Sequence, residues 1–418
     1  MTVSDIGGAG QTLEPERVDA FVRSVLGADD YAGRSVCVLI PDATRSCPLP
    51  LLLDAVHGAL AGRVARLTVL VALGTHAGLS EADLAALVGA APGGIADRYP
   101  GMAVRNHEWW DPTQLTTVGR LSADTVERLS GGRLRAGVDV TLNRAAVEHD
   151  TLLVVGPVFP HEVVGFSGGN KYLFPGIAGP EVIDLSHWLG ALIGSAEIIG
   201  TRGSTPVRAV IDAAAALVPA RRRALCVVVA SGSDALHSVA YGGTEEAWAA
   251  AAEVAAEAHV RYLSAPVQRV LSVVSTRYDE LWTAAKGMYK VEPVVADGGE
   301  VVLYAPHVRT VSHTHDADIR AVGYHCREYF TAQWDRFRDH PWGVLAHSTH
   351  LRGAGSYDPV RGERCRITVT LATGIDEATT RSLGLDYRDP AGIDPAAGSA
   401  DPDTMVVPDA GEILYRLR

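Results

Sequence analysis

Cysteine is scarce in this sequence, and the few cysteines are widely separated. The five are Cys37, Cys47, Cys226, Cys326 and Cys365. They include no CxxC pair, so they suggest neither a disulfide framework nor the paired thiolates of a structural zinc site. The cysteine pattern therefore favours a reducing cytoplasm.

Positive charge is also in short supply. Lys and Arg total 37 against 49 Asp and Glu, which gives a net charge of -12, and no basic run is longer than the three arginines at 221–223. This balance argues against binding to nucleic acid or to an anionic membrane, so a small molecule is the expected partner. No apolar run approaches the roughly twenty residues that span a bilayer, and no signal-peptide pattern opens the chain. We expect a cytoplasmic protein without membrane contact.

The sequence does contain a regular alternation of short β-rich apolar runs and helical segments. The first runs lie at 35–40, 66–73, 151–156 and 224–230. Their rhythm predicts an α/β fold with a mainly parallel or mixed sheet flanked by helices. Because the chain has 418 residues, 47% of them hydrophobic, two domains are expected.

The domain boundary is predicted from a change near residue 265. A long Ala- and Glu-rich helical segment at 244–263 ends there, and new strand-like runs begin with RVLSVVS at 269–275. We therefore predict an N-terminal α/β domain at 1–265 and a C-terminal α/β domain at 266–418. The composition of residues 388–410, which are rich in Asp, Pro, Ala and Gly, predicts a loop there, followed by a last short strand or helix.

Polar clusters follow three of the predicted strands. PDATRSCP follows the first and GTHAGLS the second, while the third leads into GPVFPHEVVGFSGGNKYLFPGIAGPEVIDLSHW at 156–188. In open α/β sheets, ligands bind outside the carboxyl ends of the strands. We expect these three loops to face one crevice.

The block at 156–188 holds a glycine-flanked lysine between two histidines. Gly168 and Gly169 could let backbone N–H groups approach an anion, although the motif lacks the ending of a P-loop and the spacing of a dinucleotide fingerprint. A tight turn with a solvated lysine is equally compatible. His161 and His187 flank Lys171, and imidazoles bind nickel or move protons while a lysine amine can join a cofactor covalently.

Three further candidates stand at the ends of the first two strands. His76 precedes Ser80, the expected N-cap of a helix, and Asp42 and Arg45 occupy the preceding strand end. A strand-end arginine near histidines can hold a small carboxylic acid through two parallel hydrogen bonds. A turn salt bridge between Asp42 and Arg45 is the alternative interpretation.

Taken together, these motifs resemble those of the lactate racemase family, whose members use a nickel-pincer nucleotide. The resemblance rests on DATR, GTH, PHEVVGFSGGNKYLFPGIAG followed by SH, and a later AAKGM. Their order matches through most of the chain. The resemblance implies two α/β domains with the active site in the crevice between them. It also implies a racemase or epimerase that inverts C2 of a 2-hydroxy acid by reversible hydride transfer.

The resemblance also assigns the cofactor residues. Lys171 matches the lysine that forms a thioamide with a pyridinium bisthiocarboxylate mononucleotide, and His187 matches the one protein ligand of its nickel. Gly168, Gly169 and Asp42 are assigned to cofactor binding. Loading would depend on the enzymes that synthesise the cofactor.

The same comparison assigns the substrate residues. His76 and His161 match the two acid/base histidines, one for each hand of the substrate. Arg45 would hold the carboxylate, and Lys286 in AAKGM would reach the substrate.

Departures from the family pattern point to a substrate other than lactate. THA replaces FHR, so Ala77 removes a cation, and Trp282 and Thr283 replace a Tyr-Gln pair. Trp342 joins these two as a predicted substrate residue. The second domain also carries surplus histidines, which suggest a larger or polyhydroxylated acid. They are His313, His315, His325, His347 and His350.

Other interpretations remain open at this point. The surplus histidines could form a second metal site, although pocket lining is favoured over it. His107 could be a base, but its tryptophan neighbours indicate packing. The protein could instead be a lyase or hydrolase with an ordinary divalent metal, or it could bind a nickel nucleotide or a sugar acid without turnover.

Overall fold

The computed structural model describes residues 3–398, 401 and 403–418, and these form two compact units. Unit 1 comprises Met1–Phe159, Phe166–Ile183 and Arg202–Ala258. Unit 2 comprises Pro160–Gly165, Asp184–Thr201 and His259–Arg418. The block at 156–188 therefore contributes residues to both units.

Strands and helices alternate along the chain. The strands are β1 Ser4–Gly7, β2 Ser35–Ile40, β3 Arg66–Val71, β4 Met102–Asn106, β5 Leu115–Leu121, β6 Val138–Asn143, β7 Thr151–Pro157, β8 Pro160–His161, β9 Gly165–Phe166, β10 Arg221–Val229, β11 Leu236–Gly242, β12 Val260–Leu263, β13 Val267–Val274, β14 Val295–Ala305, β15 Gly355–Asp358, β16 Gly362–Cys365, β17 Thr368–Thr373, β18 Asp386–Tyr387, β19 Thr404–Ala410 and β20 Leu414–Leu417. The helices are α1 Pro15–Ala28, α2 Leu49–Leu60, α3 Glu81–Leu87, α4 Ile95–Arg98, α5 Ala123–Leu129, α6 Ala145–Glu148, α7 Pro180–Ile193, α8 Ser195–Ile198, α9 Pro206–Ala215, α10 Thr244–His259, α11 Leu281–Ala284, α12 Lys286–Tyr289, α13 Asp316–Val322, α14 Arg327–Ala332, α15 Trp334–Phe337, α16 Trp342–Arg352, α17 Glu377–Ser382 and α18 Pro395–Gly398. Short 3-10 helices span Pro112–Gln114, Gly169–Tyr172, Glu292–Val294 and Pro390–Gly392.

Unit 1 is built on a seven-stranded sheet in the order β1-β11-β10-β7-β2-β3-β4. The five strands from β10 to β4 are parallel, and β11 and β1 add an antiparallel edge. The four apolar runs predicted from the sequence are β2, β3, β7 and β10. They are nearly continuous hydrophobic runs because both faces of a parallel sheet are covered. The predicted α/β fold is confirmed.

The helices of unit 1 bury one face against this sheet. In α1 the buried residues Val18, Val22 and Leu26 recur every fourth position, so they form a single stripe. The stripe joins one core cluster with Val36 and Val38 of β2. Burial of these side chains fixes the strand ends that carry the polar loops.

Unit 2 is built on a five-stranded parallel sheet in the order β18-β17-β14-β13-β19. The prediction that 388–410 is a loop is wrong for 404–410, because these residues form β19 and pair with β13. The predicted helix at 244–263 also ends early. Residues Val260–Leu263 leave α10 and pair with β20, as their β-branched and aromatic side chains favour.

Among the described residues, no helix is both long enough and apolar enough to cross a membrane.

Candidate functional site

In unit 1 the polar loops meet where the strand order reverses. Strand β2 lies between β3 and β7, and all three run parallel, so their carboxyl ends share one edge of the sheet. Asp42 and Arg45 follow β2, and His76 follows β3. The expected convergence of these two loops is confirmed, and it creates a crevice position typical of ligand sites.

The two loops are joined by a bond between Asp42 and His76. His76 Nδ1 bonds to Asp42 Oδ2, and the backbone N–H and hydroxyl of Thr44 donate to Oδ1 at 3.1 and 2.6 Å. Burial alone would raise the pKa of Asp42, but the charge and hydrogen bond of His76 and the Thr44 hydroxyl hold it well below its usual range. An ionised carboxylate at Nδ1 keeps the proton there and leaves Nε2 as the lone-pair nitrogen.

The sequence did not predict this pairing, because it assigned Asp42 to cofactor binding. That role stays a prediction. The available signal was the placement of DATR and GTH at the ends of two successive strands. Asp42 is hydrogen-bonded to His76, and Arg45 donates to the Thr44 carbonyl at 3.3 Å.

The SGGNK turn needs both of its glycines. Gly168 and Gly169 have φ of 88° and 59°, in the region that favours glycine. A Cβ on Gly168 would lie 2.6 Å from Val158 Cγ2, and one on Gly169 would lie 2.9 Å from the Thr244 carbonyl oxygen. The close approach at both positions is therefore to protein atoms, and it fixes the backbone that carries Lys171.

Two side chains that the sequence did not single out support this turn through hydrogen bonds to backbone carbonyls. Arg208 is 1% exposed and lies 3.7 Å from the centre of the Trp248 ring. Its Nη2 donates to the Phe166 carbonyl at 2.6 Å, and Trp248 Nε1 donates to the Ser167 carbonyl at 2.9 Å. Burial lowers the pKa of Arg208 to about 10, so the guanidinium stays charged at neutral pH.

His107, which the sequence offered as an alternative base, is a buried packing residue. It is fully buried, its Nε2 bonds to the Ala178 carbonyl at 3.0 Å, and its Nδ1 lies 3.2 Å from the Asn143 amide. Burial lowers its pKa to about 4. The nearby Trp109 instead donates to the His76 carbonyl at 3.0 Å.

In unit 2, His161 lies beside a carboxylate. Its Nδ1 is 3.3 Å from Glu162 Oε2 and accepts a bond from the Val163 N–H at 3.1 Å. Burial would raise the pKa of Glu162, but the nearby charges of His161 and Lys286 hold that pKa well below its usual range. His161 is 5% exposed.

His187 lies on α7, which is anchored around it. The adjacent Trp188 stacks on Trp334 with 5.1 Å between ring centres. Asp184 accepts from the Gly343 N–H at the start of α16 at 2.8 Å. Trp342 begins α16 and packs 5.4 Å from Trp334, so this predicted substrate residue belongs to an aromatic cluster.

Trp282, the predicted substrate residue on α11, is flanked by imidazoles. Its ring stacks on His347 at 4.0 Å and lies 4.7 Å from His315. The neighbouring Thr283 hydroxyl donates to the Glu280 carbonyl at 3.2 Å, within its own turn. Lys286 places its ammonium 5.1 Å from the Tyr278 ring.

Two of the surplus histidines carry buried polar atoms without partners. Among the described residues, His347 Nδ1 and both ring nitrogens of His350 have no hydrogen-bond partner. Burial lowers the pKa of His347 to about 3 and that of His350 to about 4, so both imidazoles are neutral at pH 7. Such groups are costly unless a ligand satisfies them.

The proposed second metal site is not supported. Within the part of the chain that the structure describes, no three His, Cys, Asp or Glu side chains are grouped to hold an ion. His325 instead bonds to Glu363 at 2.9 Å, and His313 lies 3.3 Å from Asp279.

Lysine is rare in this chain, and two of its lysines are candidate site residues. The chain has three lysines, which are Lys171, Lys286 and Lys290. Lys290 is buried and donates to the Pro160 and Glu412 carbonyls at 2.9 and 3.0 Å. It thereby holds the residue before His161, a role that the rarity of lysine could have signalled.

The sequence is similar to known lactate racemases. Residues 29–199 match the profile of the lactate racemase N-terminal domain. The lactate racemase of Thermoanaerobacterium thermosaccharolyticum is 25% identical over 279 residues, and that of Lactiplantibacillus plantarum is 27% identical over 183 residues. These alignments cover 65% and 42% of this chain, but only 60% and 38% of the relatives' own lengths.

Solved structures share the fold over nearly the full chain. A crystal structure of a Thermotoga maritima protein is 31% identical, with a TM-score of 0.89 over 98% of this chain and 100% of that one. The lactate racemase apoprotein from T. thermosaccharolyticum has a TM-score of 0.70 at 19% identity, covering 99% of this chain and 100% of that one.

Proposed function

Because the chain belongs to the lactate racemase family, we propose that it is an isomerase that inverts C2 of a 2-hydroxy acid. The observation that carries the proposal is the Asp42–His76 pair at the switch point of the unit 1 sheet. A carboxylate that fixes the tautomer of an imidazole leaves Nε2 ready to take a hydroxyl proton. Lys171, on the turn held by Arg208 and Trp248, adds the attachment point that the family chemistry requires.

The residues present fit a nickel-pincer nucleotide. Lys171 and His187 are both partly exposed residues, and their side chains end in an amine and an imidazole. The described residues contain no cluster of three metal-binding side chains, so a metal here would need most of its ligands from a bound group. A nucleotide that brings two sulfurs and a carbon, and needs one imidazole, meets that condition.

In this proposal Lys171 would hold the nucleotide and His187 would complete its nickel. The chemistry that such a group supplies when bound is the reversible acceptance of hydride from C2. Gly168 and Gly169 set the backbone at Lys171.

The chain's own residues would bind the acid and move its hydroxyl proton. Arg45 would hold the carboxylate with parallel hydrogen bonds, and Lys286 would contact the substrate. His76 Nε2 would take the hydroxyl proton of one hand of the substrate, and His161 would take that of the other. On return each imidazolium gives its proton back to the alkoxide oxygen.

For the substrate we propose a 2-hydroxy acid that is larger than lactate and carries further hydroxyl groups. Trp282 and Ala77 stand where the lactate enzymes have other residues. The unpartnered nitrogens of His347 and His350 lie in the same unit as Trp282 and Lys286 and could bond to hydroxyls. Neutral imidazoles bind hydroxyls as donors or acceptors without charge.

The proposal is tested with enzyme made together with the cofactor's biosynthetic enzymes. We expect stoichiometric nickel and an adduct mass at Lys171, with Lys286 and Lys290 as internal controls because the chain has no other lysine. A panel of chiral 2-hydroxy acids, sugar acids included, is then incubated in deuterated water. Inversion with the C2 hydrogen retained supports hydride transfer, and solvent deuterium at C2 would contradict it.

Two variants separate catalysis from cofactor binding. His76→Ala and His161→Ala should keep the Lys171 adduct but lose interconversion in both directions, since each direction needs one base and one acid. Loading without turnover in the wild-type enzyme would instead identify a carrier or sensor. Full activity without nickel would contradict the proposal.

A further inference from the structure

Glu162 is a charged residue of unit 2 to which the proposed function gives no role. Its carboxylate is 14% exposed, and its Oε2 lies 3.3 Å from His161 Nδ1. It faces His161 and the ammonium of Lys286 on α12, and it also faces the imidazole of His350 on α16, which burial keeps neutral at pH 7. A single carboxylate thus serves two residues that the proposed function places at the substrate.

The same nitrogen of His161 has a second partner. The backbone N–H of Val163 donates to Nδ1 at 3.1 Å. An imidazole nitrogen carries either one lone pair or one proton. Nδ1 therefore cannot accept from Val163 and donate to Glu162 at the same time.

Each partner selects a different form of the ring. With Nδ1 accepting from Val163, the neutral ring carries its proton on Nε2, which can then donate but cannot act as a base. With Nδ1 protonated and facing Glu162, the lone pair lies on Nε2, which can take a proton. The imidazolium form also requires a partner for Nδ1–H, and the carboxylate supplies it.

We infer that Glu162 is a positioning residue that selects the base-competent tautomer of His161 and stabilises its imidazolium form. The inference rests on the proposed function, which makes His161 an acid/base. When the substrate hydroxyl proton moves to Nε2, the Nδ1–H proton stays on the ring and is donated to Glu162, which remains ionised. Return of the Nε2 proton to the alkoxide oxygen restores the neutral ring.

The two acid/base histidines therefore differ in a way that the sequence does not show. His76 has the Asp42 carboxylate at Nδ1, whereas His161 shares Nδ1 between the Val163 N–H and the Glu162 carboxylate.

The first test reads the tautomer directly, in the full chain without nucleotide. Protein with 15N-labelled histidine is studied by NMR, and the His161 signal is assigned by its loss in His161→Gln. In the wild type we expect a populated Nδ1–H form. Glu162→Leu should shift His161 to the Nε2–H form, and Glu162→Gln should keep the tautomer, because its amide oxygen can accept, but lower the His161 pKa by about one unit.

A matched control removes a carboxylate elsewhere in unit 2. Glu377 is exposed on α17 and pairs with Arg381, so Glu377→Gln should leave the His161 signals unchanged. Tautomer and pKa values in both Glu162 variants equal to those of the wild type would overturn the inference. Thermal unfolding of each variant verifies that the chain is folded.

The second test uses the loaded enzyme. Glu162→Gln should move one limb of the pH profile of kcat/KM to lower pH by the interval seen in NMR. The shift of this limb should be the same for both hands of the substrate, because the overall equilibrium constant fixes the ratio of kcat/KM for the forward and reverse reactions. An unmoved profile would overturn the inference. If the loaded wild type inverts no acid in the panel, the proposed function fails, while the NMR comparison still decides whether Glu162 sets the tautomer.

Discussion

The Asp42–His76 pair fixes the tautomer of the imidazole because the carboxylate is buried, ionised and bonded to one nitrogen of the ring. Thr44 fixes the other carboxylate oxygen with two bonds, so Asp42 cannot turn away. The imidazole is therefore held in one tautomer before any substrate arrives. Pre-arranged bases of this kind avoid a reorganisation step during reaction.

Replacing Asp42 by Asn tests this arrangement. The amide keeps the size of the side chain and its oxygen can still accept from Nδ1–H, but it loses the charge that stabilises the imidazolium form of His76. We expect kcat/KM of the loaded enzyme, compared at equal occupancy of the Lys171 adduct, to fall by about 100-fold or more. Asp54→Asn is the control, because Asp54 is exposed and pairs with Arg98 on the surface. Activity equal to that of the control would contradict a role for the pair.

Much of this site could be anticipated from short stretches of sequence, and the rest could not. Strand β2 is a nearly continuous apolar run, and Asp42 follows it two residues later, so the sequence indicates both the burial of the strand and the polar loop at its end. Arg208 and Trp248 carry no such signal, since they meet Phe166 and Ser167 only through the packing of α9 and α10. Strand β19 was missed because its residues include Pro408 and Asp409, which are unfavourable in strands, and pairing with β13 overrides them.

The SGGNK turn acts as a rigid element because its backbone is constrained from both sides. Positive φ values at Gly168 and Gly169 set its path, Trp248 donates to the Ser167 carbonyl, and Arg208 donates to the carbonyl of the preceding Phe166. A lysine on a flexible loop would lose more conformational freedom when joined to a nucleotide. If Lys171 carries the nucleotide as proposed, the rigid turn lowers the entropic cost of its attachment.

Alanine substitution separates the two constraints on this turn. Gly169→Ala combines unfavourable φ with a Cβ 2.9 Å from the Thr244 carbonyl, whereas Gly132→Ala, at φ 80°, meets nothing within 4 Å. Both should lose about 1 kcal/mol from backbone strain. Gly169→Ala should lose clearly more, and it alone should reduce adduct formation at Lys171. Equal unfolding midpoints for the two variants would contradict a close approach at Gly169.

Buried neutral histidines in both units tie the stability of the protein to pH. Burial lowers the pKa of His107 and His350 to about 4 and that of His347 to about 3, and it also lowers the pKa of His149. In the unfolded chain these groups titrate near 6.5, so between that pH and their folded pKa the unfolded state binds more protons. Their contribution to stability is complete above about pH 6.5 and is lost as the pH falls.

Urea unfolding between pH 7 and pH 5 measures how many protons the chain takes up when it unfolds. As the pH falls, the free energy of unfolding of the chain should decrease. Its slope against pH should correspond to an uptake of about three protons on unfolding. His107→Gln should reduce the uptake of the transition that unfolds unit 1 by about one proton. Asn143→Ala, which removes a neighbour of His107 but keeps the imidazole, should destabilise unit 1 without reducing that uptake. A slope that is the same in His107→Gln as in the wild type would mean that this ring is already protonated in the folded protein. That outcome would contradict its burial as a neutral group.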